Sequence, residues 1–259
     1  MKLRRLVLTI MGVLVIEGGV LAGISVLSSE NRAYGGQKEG TEYAAHTEQE
    51  KNLKQDTEAG QGDQEVQKIY KKDKKLLVLV NAGHGLPEDY DVSLRTICNG
   101  RLMASGELYP DLVDMLEAAG EAGHHYWIAS AWRSRKKQQK LVDEDVQTAM
   151  KKGASYEEAL RETYKETMPA GHSEHETGLA LDILCQQNLK MDRSQAEEPA
   201  NIWLRKNSWR YGFILRYPKD KKSVTGINYE PWHFRYVGKR AAAYIHKNGL
   251  ALEEFWERL

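Results

Sequence analysis

Gly171-His-Ser-Glu-His-Glu-Thr-Gly-Leu-Ala-Leu-Asp182 is the stretch around which the rest of this sequence is organised. It contains His175, then Gly178, then Asp182 four residues after the glycine. A histidine that leaves a loop, a glycine that turns the backbone and an aspartate on the following strand can converge on one point. We therefore interpret His175 and Asp182 as two candidate metal ligands presented from adjacent sequence.

The residues after the glycine have the alternation of a half-buried strand, whose side chains point to opposite faces in turn. Leu179, Leu181 and Ile183 share one face, which predicts packing against the core. Ala180 and Asp182 share the other face, where a small residue beside the carboxylate leaves room for a ligand.

A second motif, Glu230-Pro-Trp-His233, supplies a third ligand and a free carboxylate. Three protein ligands and one open position are typical of a catalytic zinc site, and His175, Asp182 and His233 would provide them. Zinc lowers the pKa of a bound water from about 15.7 to roughly 7. Glu230 is free to take that proton and return it to a leaving amine. Pro231 indicates that Glu230 lies at the start of a strand or at a bulge, where its direction can change.

Each of these residues also has an ordinary structural explanation. A lone histidine on a strand, such as His233, is usually a hydrogen-bonded structural residue, and Asp182 alone could cap a turn. The joint pattern, His-x6-Asp followed by Glu-x-x-His, favours a metal site. Five further histidines lack such a setting and are interpreted as non-ligands: His46, His84, His124, His125 and His246.

Arg133 is a further candidate, because it follows a predicted strand directly in Ser130-Ala-Trp-Arg-Ser134. A guanidinium at that strand end could hold a substrate carbonyl or a developing oxyanion. The alternative is a surface salt bridge.

Short strands interleave with helices along the second part of the chain, which predicts a single compact α+β domain. The predicted strands are Leu76–Val80, Tyr126–Ser130, Leu179–Ile183, Phe213–Leu215 and Asn228–Tyr236. The predicted helices begin at Pro110, Ser134, Ser155, Glu197, Arg240 and Leu252. The second of these should bury Leu141, Val142, Val146 and Met150.

Three segments are predicted: residues 1–27, 28–73 and 74–259. Cationic residues precede an apolar run, Leu6–Leu27, which is long enough to cross a bilayer and would leave the rest of the chain outside. An uncleaved signal anchor and a cleaved signal peptide both fit, and Glu17 interrupts the run. The middle segment lacks large apolar residues before Val66 and is predicted to be a flexible spacer. In both alternatives the last segment is extracytoplasmic, either attached to the cell membrane by a single span or secreted.

The composition excludes some classes of function. Lys and Arg number 37, as do Asp and Glu, so the chain has no basic excess of the kind that nucleic-acid binding needs. The two cysteines, Cys98 and Cys185, are far apart and form no Cys-x-x-Cys pair, which argues against a thiolate zinc cage. They could be two buried thiols or one disulfide.

The sequence resembles the VanY-type zinc D,D-carboxypeptidases, in the D-alanyl-D-alanine peptidase family that also includes L,D-carboxypeptidases of cell-wall turnover. Four motifs in the family's order carry the resemblance: Leu77-Val-Leu-Val-Asn81 with Leu86-Pro-Glu-Asp89, Ser173-x-His175-x-x-Gly178-x-Ala180-x-Asp182, Tyr211-Gly-Phe-Ile-Leu-Arg-Tyr-Pro218 and Glu230-Pro-Trp-His-Phe-Arg-Tyr-Val237. This chain has Ala131 and Trp132 where the family usually has Gly and Tyr.

The resemblance implies a small antiparallel sheet flanked by helices, a Hedgehog/D,D-peptidase-like fold. It also implies zinc on His175, Asp182 and His233, with Glu230 as general base and Arg133 stabilising the carbonyl. It places Ser173 and Gln138 near the terminal residue of the peptide.

The hypothesis is a zinc D,D-carboxypeptidase that removes the C-terminal D-alanine from peptidoglycan stem peptides ending in D-Ala-D-Ala, in a setting of glycopeptide resistance by analogy with the family. Three alternatives remain open. They are an L,D-carboxypeptidase acting on tetrapeptide stems, a non-catalytic wall-binding module with a structural zinc, and a membrane-tethered domain without a metal. No protein partner is indicated.

Overall fold

The computed structural model describes residues 62–259. Six strands lie in this part of the chain: β1 Leu94–Ile97, β2 Leu102–Ser105, β3 Tyr126–Ser130, β4 Ala180–Cys185, β5 Phe213–Leu215 and β6 His233–Tyr236. The described helices are α1 at 62–73, α2 Tyr109–Glu121, α3 Arg135–Lys151, α4 Tyr156–Thr163, α5 Pro199–Asn207, α6 Lys222–Thr225, α7 Lys239–Asn248 and α8 Leu252–Trp256. The predicted α+β class, with small antiparallel sheets flanked by helices, is confirmed.

The central sheet has four antiparallel strands in the order β3-β4-β6-β5. Strand β4 is therefore interior, and its register pairs Asp182 with Ser130 of β3 and with His233 of β6. Residues opposite each other on neighbouring strands have adjacent side chains. The register alone thus places Asp182 beside His233.

One face of this sheet forms the larger core, as the alternation in β4 predicts. Leu179, Leu181 and Ile183 are at most 2% exposed and pack with Phe234 and Tyr236 of β6. Burying a large apolar side chain contributes roughly 1.5–3 kcal/mol, so this face holds the strands together. The opposite face is left for polar side chains.

The segment Leu76–Val80 is not a strand, contrary to the sequence prediction, although Leu77 and Val80 are fully buried. Its carbonyl groups are taken by side chains instead of by a neighbouring strand. Arg235 donates to the carbonyls of Leu76 and Val78 at 3.0 and 2.9 Å, and Trp256 Nε1 donates to that of Leu77 at 2.6 Å. An apolar run shows burial, but it does not show which groups satisfy the backbone.

The hairpin of β1 and β2 was not predicted. Its turn places Cys98 and Asn99 at φ 53° and 56°, followed by Gly100 at φ 82°. An Asn-Gly pair favours such a turn, so the signal was present in the sequence. The flanking strands are only four residues long and half-exposed, which hid the alternation.

Several other predicted boundaries also differ from the structure. The strand predicted from Asn228 begins only at His233, and the helix predicted from Glu197 is α5 followed by a 3-10 turn at Ser208–Tyr211. Met150 of α3 is 44% exposed rather than inward, whereas Val142 and Val146 are buried as expected. The helix predicted from Ser155 is α4, and Ser155 and Glu158 form a capping box at its start.

Helix α1 corrects the end of the predicted spacer. Val66 is fully buried and Ile69 is 6% exposed, in a second core with residues of α7 and α8. The folded domain therefore includes at least residues 62–73, which the sequence analysis assigned to the spacer. An isolated twelve-residue helix is marginal in water, so this packing is what stabilises it.

The predicted anchor at residues 1–27 and the spacer up to residue 61 lie outside the described residues. Within residues 62–259, no helix combines the length and the apolar character needed to cross a membrane. Cys98 is partly exposed and Cys185 is buried, and both are free thiols, so the disulfide alternative is not formed.

Candidate active site

The three predicted metal ligands lie together on the polar face of the sheet. His175 is in a 3-10 turn at Glu174–Thr177, Asp182 is on β4, and His233 is the first residue of β6. Each can offer one ligand atom, and these atoms lie within 4.8 Å of one another. All three side chains are buried, with 4–5% of each residue exposed. In residues 62–259 no other group of His, Cys, Asp or Glu meets this criterion, and His84, His124, His125 and His246 belong to none.

Gly178 makes the passage from the 3-10 turn into β4 possible. It has φ 71°, a left-handed conformation that favours glycine. A Cβ there would lie 2.9 Å from the backbone nitrogen of Ser105, which donates a hydrogen bond to the carbonyl of Gly178. The hydroxyl of Thr177 donates to the carbonyl of Glu174 and accepts from the amide of Leu179. The turn that carries His175 is therefore held at both ends.

The two histidine rings present different nitrogen atoms to Asp182. His175 Nε2 lies 3.2 Å from Asp182 Oδ2, and His233 Nδ1 lies 3.3 Å from Asp182 Oδ1. The outer nitrogen of His175, Nδ1, is 2.7 Å from the carbonyl of Ala131. The outer nitrogen of His233, Nε2, is 3.5 Å from Glu174 Oε2. Metal-binding histidines almost always use their second nitrogen in this way, because it fixes the ring orientation.

These positions fit a zinc ion. Tetrahedral coordination with bonds of about 2.0–2.1 Å separates ligand atoms by roughly 3.3 Å, and each histidine has a ring nitrogen at 3.2 or 3.3 Å from one oxygen of Asp182. Asp182 Oδ1 is buried without a hydrogen-bond partner among the described residues. Two imidazoles and one carboxylate are also a donor set that zinc accepts.

The electrostatics of the site favour a cation. Burial alone would raise the pKa of Asp182, but the two histidines hold it well below its usual range. Burial alone would likewise lower the pKa of His233, but the carboxylates of Asp182 and Glu174 raise it to about 9. For His175, burial dominates and lowers the pKa. The buried carboxylates thus favour a positive charge at this site, and a bound metal ion would supply it.

Glu230 lines the same cavity as the three candidate ligands. Its Oε2 is 3.6 Å from His233 Nδ1, and burial raises the pKa of its carboxyl to about 8. The backbone of Glu230–His233 forms a turn, closed by the amide of His233 donating to the carbonyl of Glu230 at 3.2 Å. Because β6 begins only at His233, residues three apart can face the same side, as Pro231 suggested.

Arg133 follows β3 and projects into the same cavity, which has a volume of ≈ 210 Å³. Its Nη1 donates to Gln138 Oε1 at 2.8 Å and its Nη2 to Ser130 Oγ at 3.1 Å, so its direction is fixed. Burial lowers the pKa of the guanidinium, opposed chiefly by Asp182, and an arginine remains charged under these conditions. Within residues 62–259 the side chain of Arg133 bonds to these two neutral side chains and to no carboxylate, so the alternative of a surface salt bridge is not observed.

Ser173 and Gln138 both line this cavity. Both ends of the Gln138 amide are engaged, because its Nε2 donates to the carbonyl of Met168 at 2.5 Å. Its observed contacts orient Arg133, and its contact with a peptide stays a prediction, as does that of Ser173. Trp132 lines a neighbouring cavity rather than this one, and Ala131 contributes only its carbonyl. Neither position at which the chain departs from the family thus lines the metal cavity.

Sequence reasoning missed a buried ionic network behind the ligands. Glu174, Arg216, Arg235 and Glu253 are each less than 8% exposed and are joined by ion pairs of 2.7–2.8 Å. The sequence contained a signal for this network. Arg235 lies two residues after His233 in β6, so the two side chains point to the same face of the sheet. Charged side chains that alternate with buried aromatic residues in a short strand need a buried partner.

The comparisons with known proteins agree with this geometry. A family profile described as VanY, D-alanyl-D-alanine carboxypeptidase, matches residues 102–239. The D-alanyl-D-alanine carboxypeptidase of Enterococcus faecalis is 41% identical over 179 residues, which are 69% of this chain and 65% of that protein. The match thus spans slightly less than two thirds of that relative. The putative carboxypeptidase YodJ of Bacillus subtilis is 34% identical, over 71% of this chain and 68% of that protein.

Solved structures give the same result. A mutant of the vancomycin resistance D,D-pentapeptidase VanY from a VanB-type cassette, in complex with Zn(II), is similar with TM-score 0.64 and 38% identity, over 70% of this chain and 99% of that one. VanYB in complex with D-alanine-D-alanine has the same score and identity, over 70% and 97%. The LD-carboxypeptidase LdcB has TM-score 0.60 and 33% identity, over 70% and 85%.

Proposed function

The chain belongs to the VanY family of D-alanyl-D-alanine carboxypeptidases, and we propose that it is a zinc-dependent D,D-carboxypeptidase. Its substrate is a peptidoglycan stem peptide or precursor that ends in D-Ala-D-Ala, and it removes the terminal D-alanine. The proposal draws on the zinc-bound and D-Ala-D-Ala-bound relatives for cofactor and substrate.

One observation of this chain carries the proposal. Its candidate ligands His175, Asp182 and His233 share one cavity with Glu230, a carboxylate not needed for coordination, and Arg133, an oriented cation. A structural metal site needs neither of the last two groups. Hydrolysis of an amide needs both a proton acceptor and a group that stabilises the developing oxyanion.

The residues have distinct roles in the proposed reaction. A zinc ion held by His175, Asp182 and His233 supplies Lewis acidity and lowers the pKa of a water molecule. Glu230 accepts a proton from the attacking water and returns it to the leaving amine. The guanidinium of Arg133 has N–H groups left after its bonds to Gln138 and Ser130, and it donates to the carbonyl oxygen as negative charge develops.

The D,D assignment is tested by the amino acid released from defined stems. The purified chain with zinc is given a pentapeptide stem ending in D-Ala-D-Ala and, separately, the matching tetrapeptide. We expect D-alanine from the pentapeptide and little from the tetrapeptide. Release from the tetrapeptide alone would replace the proposal by an L,D-carboxypeptidase, an activity that LdcB represents among the similar structures.

The cellular setting is a separate part of the proposal. The cationic residues and apolar run at residues 1–27 support attachment to the cell membrane, or secretion if the segment is cleaved, with the described domain outside. There the enzyme would remove the D-alanine terminus that glycopeptides bind. Fractionation of cells that produce the full chain should recover it with membranes or in the medium, and recovery in the cytosol would contradict this setting.

A further inference from the structure

The carboxylate of Glu174 has two sides with different surroundings. Its Oε1 accepts from Arg216 Nε at 2.7 Å and from Arg235 Nη1 at 2.8 Å, and the side chain is fully buried. Its Oε2 faces His233 Nε2 at 3.5 Å. Within residues 62–259, neither of these two atoms has a hydrogen-bond partner. The two unpartnered buried atoms therefore face each other.

The ion pairs with the two arginines involve only one of the two carboxylate oxygens of Glu174. Arg216 already has a carboxylate partner, because Glu253 binds its two terminal nitrogens at 2.8 and 2.7 Å. Arg235 donates to Glu174 only through Nη1, and its other nitrogens donate to backbone carbonyls. Both contacts use Oε1 of Glu174, so its Oε2 remains available to the imidazole of His233.

We propose that Glu174 is a positioning residue for His233: its Oε2 accepts a hydrogen bond from Nε2–H of the imidazole and so keeps the proton on Nε2, which leaves the Nδ1 lone pair facing Asp182 and the metal site. A neutral imidazole carries one proton, so a proton held on Nε2 leaves Nδ1 as the ligand atom. The inference rests on the proposed function, because it assigns a role toward the zinc of that site.

A purely structural role for Glu174 predicts something different. In that case Glu174 is only a counter-ion for two buried arginines, and its loss lowers stability without a specific effect on zinc. Glu253 provides the matched comparison, since it pairs with Arg216 in the same network but does not contact His233. Removing either charge leaves a buried arginine short of a partner, which is costly in both variants.

The test measures the zinc dissociation constant of the full chain by competition with a chromophoric chelator. Glu174→Gln should weaken zinc binding about 10- to 100-fold, the usual effect of removing such an outer partner. Glu253→Gln should leave zinc affinity near that of the unmodified chain, although it lowers the unfolding midpoint. Equal affinity of Glu174→Gln and the unmodified chain would overturn the inference, and so would an equal loss in both variants. Absence of zinc binding by the unmodified chain would overturn the proposed function as well.

A second measurement needs no variant and so does not depend on its folding. In zinc-loaded, nitrogen-15-labelled protein, long-range proton–nitrogen correlation identifies which ring nitrogen of His233 carries the proton. We expect a protonated Nε2 and a metal-bound Nδ1. A proton on Nδ1, or zinc on Nε2, would overturn the assignment of Glu174.

Discussion

At the scale of single residues, Glu230 is distinguished from the three ligands by what it does not contact. The carboxylate of Asp182 contacts both histidines, whereas within residues 62–259 Glu230 approaches only His233, with its Oε2 3.6 Å from Nδ1. Its substitution should therefore separate chemistry from metal binding.

Glu230→Gln should lower kcat by about 10²- to 10⁴-fold, because an amide cannot accept the proton of the attacking water. Zinc content should stay at that of the unmodified chain, since the three ligands are unchanged. Steady-state release of D-alanine and elemental analysis check both parts. Glu117→Gln, an exposed carboxylate on α2, is the control and should change neither quantity. Full activity of Glu230→Gln would favour another proton acceptor and remove the basis for the proposed mechanism.

Among the secondary-structure elements, those with a clear local pattern of apolar residues could be predicted from the sequence. Strand β4 and helices α2 and α3 were predictable, because alternation or helical periodicity in them reports burial directly. The partners of β4 were not, since strand order depends on contacts between distant residues. The same holds for Leu76–Val80, whose backbone is satisfied by side chains more than 150 residues away.

The residues of the site also fall into two groups, those that could be predicted from the sequence and those that could not. The ligands and Glu230 could be chosen from spacing and residue type, because zinc and proton transfer restrict both. The role of Glu174 could not, since Arg216, Arg235 and His233 reach it from other elements. Only the fold shows that this acidic residue, adjacent to His175 in the chain, lies behind His233.

The turn into β4 makes a prediction about stability. Gly178→Ala should lower the free energy of unfolding by at least ~1–2 kcal/mol, the cost of a left-handed alanine, with a further cost from the 2.9 Å contact to Ser105. Gly120→Ala in α2 is the matched control, because nothing lies within 4 Å of its Cβ position and its φ is ordinary. It should be neutral or stabilise the chain by up to about 1 kcal/mol. Denaturant unfolding compares the two, and equal effects would contradict the role assigned to the turn.

For the molecule as a whole, the packing of α1 makes residues 62–73 part of the folded domain. Ile69→Ala should destabilise the chain by roughly 2–5 kcal/mol, as expected for a buried isoleucine. Lys68→Ala, at an exposed position next to it, should stay within about 0.5 kcal/mol. Chemical denaturation measures both. A neutral Ile69→Ala would return residues 62–73 to the spacer that the sequence suggested.

Zinc should also stabilise the whole domain, because its ligands come from three separate elements. At free zinc of about 1,000 times the dissociation constant, binding contributes about 4 kcal/mol. For a domain of this size that corresponds to roughly 8–16 °C in Tm. Thermal unfolding with zinc and with a chelator measures the difference. Asp182→Ala should show no such shift, and a shift in that variant would place the metal elsewhere.

The second core, which holds α1 against α7 and α8, brings the two ends of the described chain together. Tyr244 of α7 contacts both ends, since its hydroxyl donates to the carbonyl of Gly62 and accepts from Arg258. A short peptide joining the ends would close the chain at a small loop-closure cost. The domain should then accept circular permutation, with new termini opened in the exposed turn between β1 and β2 at Asn99–Gly100. Such a permutant would keep every strand of the central sheet, and with them the register that sets Asp182 beside His233.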